Sequence, residues 1–167
     1  MTFNEFLDLS AALTGYPAGT LKPFNDTELI GDQLYAELSK PENNIPAEQL
    51  NLLTSTWNAI SNTPPAQLEA KVKTEIIDNV AIARLAQNII YMWYLGIWYD
   101  LLKNPNSFIF PDNVDKNHVN QDHVVSSSVY TKGLVWGEMG AHPMGYSTGT
   151  FGYWENEPIL PTIELAN

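Results

Sequence analysis

The sequence predicts a mainly α fold: a single-domain helical bundle with a long polar loop and an extended C-terminal arm rich in glycine and aromatic residues. Three observations predict it. Apolar residues recur at helical spacing through the first two-thirds of the chain, whereas residues 103–125 have no periodicity. Beyond Pro143, glycines recur too often for a regular helix to hold. The chain therefore divides into a helical core (1–102), a polar loop (103–125), a short block (126–142) and the arm (143–167). At 167 residues it is long enough for one domain with a sizeable core and too short to argue for two.

The first helix is expected to begin at Thr2. With Glu5 three positions on, Thr2 fits a capping box, in which each side chain satisfies the other residue's backbone N–H. Phe3, Phe6, Leu7 and Leu13 mark its apolar stripe, and Gly15 with Pro17 stops it. A second helix is expected from Asn25 or Asp26, carrying Ile30, Leu34, Tyr35 and Leu38 until Pro41 ends it. A third opens at Pro46, a good first-turn residue, and carries Leu50, Leu53, Trp57 and Ile60. Pro64 and Pro65 separate it from a fourth with Leu68, Val72 and Ile76.

The fifth helix is the strongest. Ile82, Leu85, Ala86, Ile89, Ile90, Trp93 and Ile97 form one wide apolar face, and Tyr91, Met92, Tyr94, Leu95, Trp98 and Tyr99 cover the other sides. A helix that is apolar all round has to be buried all round, so the shorter helices are expected to wrap it. The other outcome is that some of its rings form a partner-facing patch. In the short block, Ser126-Ser127-Ser128 reads as a helix start, and residues 130–136 fit either a short helix or a strand. Val129, Leu134 and Trp136 are its expected inward positions.

Composition narrows the function. Eight basic against nineteen acidic residues give a net charge of −11, which argues against nucleic acid or an anionic membrane surface as partner. Only 16% of residues are charged, which leaves a surface suited to contact with another protein. The absence of cysteine excludes disulfides, thiolate-bound iron–sulfur clusters, Cys-attached haem and a cysteine nucleophile. Residues 1–5 carry no basic segment leading into an apolar run, so no secretory signal is expected there. The longest near-continuous apolar run, 89–99, is about half of the roughly 20 residues a spanning helix needs, so no direct membrane span is expected.

His118, His123 and His142 are the candidates for chemistry in the chain itself, with Asp112, Asp115 and Asp122 as co-ligands of a metal. The five-residue separation of His118 and His123 puts them out of register on a helix, so they read as solvated loop residues. Ser126-Ser127-Ser128 lacks a nucleophile-elbow pattern, and Glu138 beside His142 is a weak acid–base signal. No Gly-x-Gly-x-x-Gly follows a strand, so no dinucleotide site of that type is encoded. No catalytic, cofactor or metal residue is assigned. The rival reading is a stand-alone helical enzyme or ligand-binding protein using the region between His118 and His142.

Four blocks, taken in order, carry a family resemblance. Phe6-Leu7-Asp8-Leu9-Ser10-Ala11-Ala12-Leu13-Thr14-Gly15 comes first, and Trp93-Tyr94-Leu95-Gly96 closes the aromatic helix. Tyr130-Thr131-Lys132-Gly133-Leu134-Val135-Trp136 follows, with Gly133 where the family has alanine. Last is the arm, ending in Phe151-Gly152-Tyr153-Trp154 and Pro158. Together they resemble the small subunit of membrane-bound FAD-dependent sorbitol dehydrogenase-type (sugar or polyol) dehydrogenases. The resemblance implies a non-catalytic chain without a cofactor of its own, bound to a large flavoprotein subunit that holds FAD and oxidises the sugar or polyol. It further implies a multihaem cytochrome subunit in the assembly and support of the flavoprotein's maturation and export. The location is then periplasmic, if the chain is exported with its partner. The docking residues implied are Trp136, Phe151, Tyr153, Trp154 and Pro158, aromatic anchors of the kind that dominate interfaces. Gly145, Gly149 and Gly152 raise the cost of ordering the arm, which predicts that it is mobile in the free chain.

Overall fold

The computed structural model describes residues 1–104 and 106–143. The arm expected from residue 143 onward lies outside the described residues apart from Pro143, and with it lie Phe151, Tyr153, Trp154 and Pro158.

Helix α1 (Phe3–Thr14) starts as its sequence predicts. Thr2 Oγ1 accepts from the Glu5 N–H at 3.3 Å, and the Glu5 carboxylate accepts from the Thr2 N–H, closing the capping box. Gly15 ends the helix in the left-handed conformation, φ 79°. A single turn not anticipated from the sequence, α2 (Ala18–Leu21), follows. Helix α3 (Ile30–Glu37) begins later than Asn25 or Asp26. The reason is local: the Asp26 carboxylate accepts from the Glu28 and Ile30 N–H groups at 3.1 and 2.9 Å, so it caps from four residues upstream. Leu29 makes the intervening turn at φ 54°.

A 3-10 turn (Pro41–Asn43) leads to α4 (Ala47–Ile60), which enters from Pro46 as expected. Helix α5 (Pro65–Val72) runs directly into a π-helical turn (Lys73–Ile77), and the two bury Val72 and Ile76. Helix α6 (Ala83–Leu95) is the axis of the fold. It packs against α1, α3, α4 and the π turn, and at its far end against two short helices, α7 (Ser127–Thr131) and α8 (Leu134–Glu138). None of its residues is exposed, and Met92 and Trp93 are buried, whereas Tyr91, Tyr94 and Leu95 are half-buried. Leu85, Ala86, Ile89 and Met92 are fully buried, with Phe6, Leu34, Leu53 and Ile76 packed around them.

Gly96 turns the chain out of α6 at φ 68° into β1 (Ile97–Trp98), shorter than a helix reaching Ile97. β1 pairs antiparallel with β2 (His123–Val124), Ile97 opposite Val124 and Trp98 opposite His123. Trp98 therefore belongs to the core through a strand, not through the helix. Turns and bends join the two strands. In the block that follows, Ser126 caps α7 by accepting from the Val129 N–H at 3.1 Å. Val129 is buried as expected, whereas Leu134 and Trp136 are half-buried.

Candidate functional site

Three of the four sequence blocks meet at the C-terminal end of α6. Phe6 stacks on Trp93, ring centroids 6.3 Å apart, and the Tyr94 hydroxyl donates to the Thr14 carbonyl at 3.1 Å. Tyr16 lies edge-on to Tyr94 at 6.4 Å. The third block docks by close backbone approach. A Cβ on Gly96 would stand 2.6 Å from Tyr130 Cα, and one on Gly133 would stand 2.6 Å from the Tyr94 carbonyl oxygen. Gly133 is thus required by packing, which accounts for the absence of alanine at that position.

Trp136 sits on the outer side of this junction. Its Nε1–H donates to the Tyr130 carbonyl at 2.7 Å, and its ring lies edge-on to Tyr130 at 5.4 Å. A half-buried indole with its only donor already satisfied presents an apolar face. Nearby, the Tyr16 hydroxyl donates to Glu138 Oε1, and that hydrogen bond to the carboxylate pushes the Tyr16 phenol up to about 12. A cleft of about 290 Å³ opens beside the block, lined by Leu21, Pro23, Trp93, Lys132 and Leu134 among others. The buried Nε1 of Trp93 has no hydrogen-bond partner among the described residues.

The polar residues between the strands are not simply solvated. His118 Nε2 meets Asp100 Oδ2 at 2.6 Å, and His123 Nε2 meets Glu37 Oε2 at 3.1 Å. Each histidine is therefore tied to its own carboxylate. Glu37 is fully buried at the end of α3, where Lys40 and the Asn43 side-chain amide, at 2.9 Å, complete its partners. Asp100 accepts from the Leu102 and Gln121 N–H groups at 2.9 and 2.8 Å. Asp122 accepts from the Asp100 N–H at 2.7 Å and pairs with the Lys103 ammonium. Burial pushes the Asp122 carboxyl up, but the Asp100 amide and the Lys103 ammonium together outweigh it and hold the group below the ordinary carboxylate range.

The structure does not assemble the candidate metal ligands. Asp112 and Asp115 are exposed, Asp122 is committed to Lys103, and His142 lies on the surface next to Pro143. Among the described residues no three His, Cys, Asp or Glu side chains are grouped to hold a metal ion. Asp100 and His118 do line a cleft of about 270 Å³, together with Asn43 and Gln49.

Sequence reasoning missed Glu37, Asn43, Asn88 and Asp100, all buried polar residues. For Glu37 a signal existed, since it falls on the same helical face as Ile30 and Leu34. Asn88 lies likewise between Leu85 and Met92, and its amide holds the Tyr99 backbone at both its N–H (3.0 Å) and its carbonyl (2.6 Å). Asp100 follows the apolar run with no periodicity to flag it. Among the described residues no helix is long and apolar enough to cross a membrane. Comparison with protein-family models, with curated proteins and with solved structures returns no match.

Proposed function

We propose that this chain is a non-catalytic small subunit that binds an FAD-dependent sugar or polyol dehydrogenase and supports its maturation and export to the periplasm. In this reading the chain holds no cofactor, FAD resides in the large flavoprotein subunit, and a multihaem cytochrome subunit completes the assembly. The docking surface is formed by Trp136 with Phe151, Tyr153, Trp154 and Pro158 of the Gly- and aromatic-rich arm.

One observation carries the reading. The three blocks of the family resemblance that fall within the described residues converge on one end of α6, with an apolar indole face at their outer edge. Blocks far apart in sequence are thereby held against one another, with Trp136 half-buried beside them. Aromatic side chains at such a surface are the usual energetic centres of an interface.

The test is a pull-down from cells that carry the protein natively, with the full chain as bait and flavin absorbance of the eluate as readout. A stoichiometric flavoprotein that is lost with Trp136→Ala supports the reading. An eluate without flavin overturns it.

A second reading, a stand-alone ligand-binding protein or enzyme, is favoured by the His118–Asp100 pair lining its own cleft. His118→Ala that leaves flavoprotein capture intact separates the two readings.

A further inference from the structure

Arg84 is the sole arginine of the chain, and its position is unusual for a protein of net charge −11. Among the described residues it forms no ion pair. One terminal nitrogen donates to the Asp100 carbonyl at 3.1 Å, and its Nε is buried without a hydrogen-bond partner among the described residues. A guanidinium with an unused buried donor costs stability unless something accepts from it. Lys103, the other cation nearby, is already spent on Asp122.

Arg84 opens onto a cleft of about 350 Å³ that takes no part in the junction described above. One wall is a face of α6, on which Arg84, Tyr91 and Leu95 recur at helical spacing. The opposite wall is the segment after β1, with Tyr99, Asn104, Asn106, Ser107 and Phe108. The start of this wall is held to the core. The buried Asn88 grips the Tyr99 backbone, and Asn104 Oδ1 accepts from the Asn106 N–H at 2.9 Å. Tyr99 lies edge-on to Tyr91 at 5.1 Å, and Phe108 tilts against Tyr99 at 6.4 Å. Phe108 is nevertheless 80% exposed, a large ring left standing at the mouth.

The polar groups of the cleft without a hydrogen-bond partner among the described residues are the Asn104 amide nitrogen, the Asn106 side-chain amide and the hydroxyls of Tyr91 and Tyr99, beside an Arg84 guanidinium that forms no ion pair. Burial raises the Tyr99 phenol, with the Asp122 charge adding to it, so this hydroxyl keeps its proton. A volume of this size is at the small end of ligand sites. Donors beside three rings suit an anion with a flat apolar part, and a planar guanidinium matches a carboxylate.

We propose that this cleft binds a small organic carboxylate with a flat apolar body, its carboxylate on Arg84 and its body against Tyr91, Tyr99 and Phe108.

A single arginine gives a single Nε–H resonance, so the test is a titration of the full, ¹⁵N-labelled chain with benzoate. That resonance is expected to move with the amides of Tyr91, Tyr99 and Asn104, with a Kd on the order of 1 mM. Benzyl alcohol, acetate and inorganic phosphate are each expected to bind at least about tenfold more weakly, because each lacks the ring or the carboxylate. Arg84→Gln is expected to abolish the shifts. Because it also removes a bond to the Asp100 carbonyl, Phe108→Ala at the exposed mouth is the companion variant. It leaves the core untouched and is expected to weaken benzoate by about threefold or more. A stationary Nε–H resonance overturns the proposal. So do equal affinities for benzoate and benzyl alcohol, or unchanged benzoate affinity in Phe108→Ala.

Discussion

Gly15 and Gly96 end α1 and α6 in the same left-handed conformation, at φ 79° and 68°. Their surroundings differ. A methyl group would meet nothing within 4 Å at Gly15, but at Gly96 it would meet Tyr130 Cα at 2.6 Å and the Tyr130 nitrogen at 2.8 Å. Alanine in this conformation costs about 1–2 kcal/mol on backbone grounds alone. Overpacking against a part that cannot give way adds about 1–3 kcal/mol. Tyr130 cannot give way easily, because it belongs to α7, which is capped by Ser126 and pinned through the buried Val129. Gly15→Ala is therefore expected to lose about 1–2 kcal/mol and Gly96→Ala about 2–5 kcal/mol. Urea unfolding followed by tryptophan fluorescence and far-UV circular dichroism measures both, provided the m-values agree. Costs that agree within about 0.5 kcal/mol would refute the claim that the 126–142 block is locked onto α6 by close approach.

Two further outcomes follow from the charged groups. Asp122 is held below the ordinary carboxylate range in the folded chain, so its contribution to stability is present above about pH 4 and is lost as pH falls through its lower folded value. Asp122→Asn is expected to flatten the acid limb of the stability curve, and acid limbs that run parallel in the two proteins would contradict this. Glu37→Gln leaves Lys40 and His123 facing a neutral amide. The Glu37 side chain is 1% exposed while those of Lys40 and His123 are 36% and 31% exposed, so the loss is expected at about 2–3 kcal/mol, below that of a fully buried pair. A thermal unfolding midpoint that does not move in this variant would show that the buried carboxylate is satisfied by Asn43 alone.

The helices that were legible in the sequence are those whose boundaries are chemical. Thr2 with Glu5, Gly15, Pro46 and Pro65 each mark a terminus by a capping bond, a left-handed turn or a fixed φ, and these are read from residue type. α3 began late because Asp26 caps across an intervening turn, a geometry that spacing alone does not reveal. The end of α6 was overrun because Ile97 and Trp98 continue its apolar pattern while standing in a strand. A two-residue strand has too few positions to display a period of its own. The ion pairs of the 99–123 segment were invisible for a different reason. Their partners come from α3 and from the end of the apolar run, so His123 finds Glu37 only once the chain has folded back. The meeting of the three blocks at the end of α6 was equally beyond reach, because residues so far apart in the sequence carry no sign of their contact.

The place of α6 in the chain also orders events during synthesis. Helices α1, α3, α4 and α5 leave the ribosome before Ala83, the first residue of the helix they cover. At about 5–20 residues per second, the earliest of them waits on the order of 10 s for its counterpart. Through that interval Phe6, Leu34, Leu53 and Ile76 lack the helix they surround in the finished core. The nascent first half is thus a set of amphipathic segments whose common partner is still missing, and release of the aromatic helix is the step that completes their core.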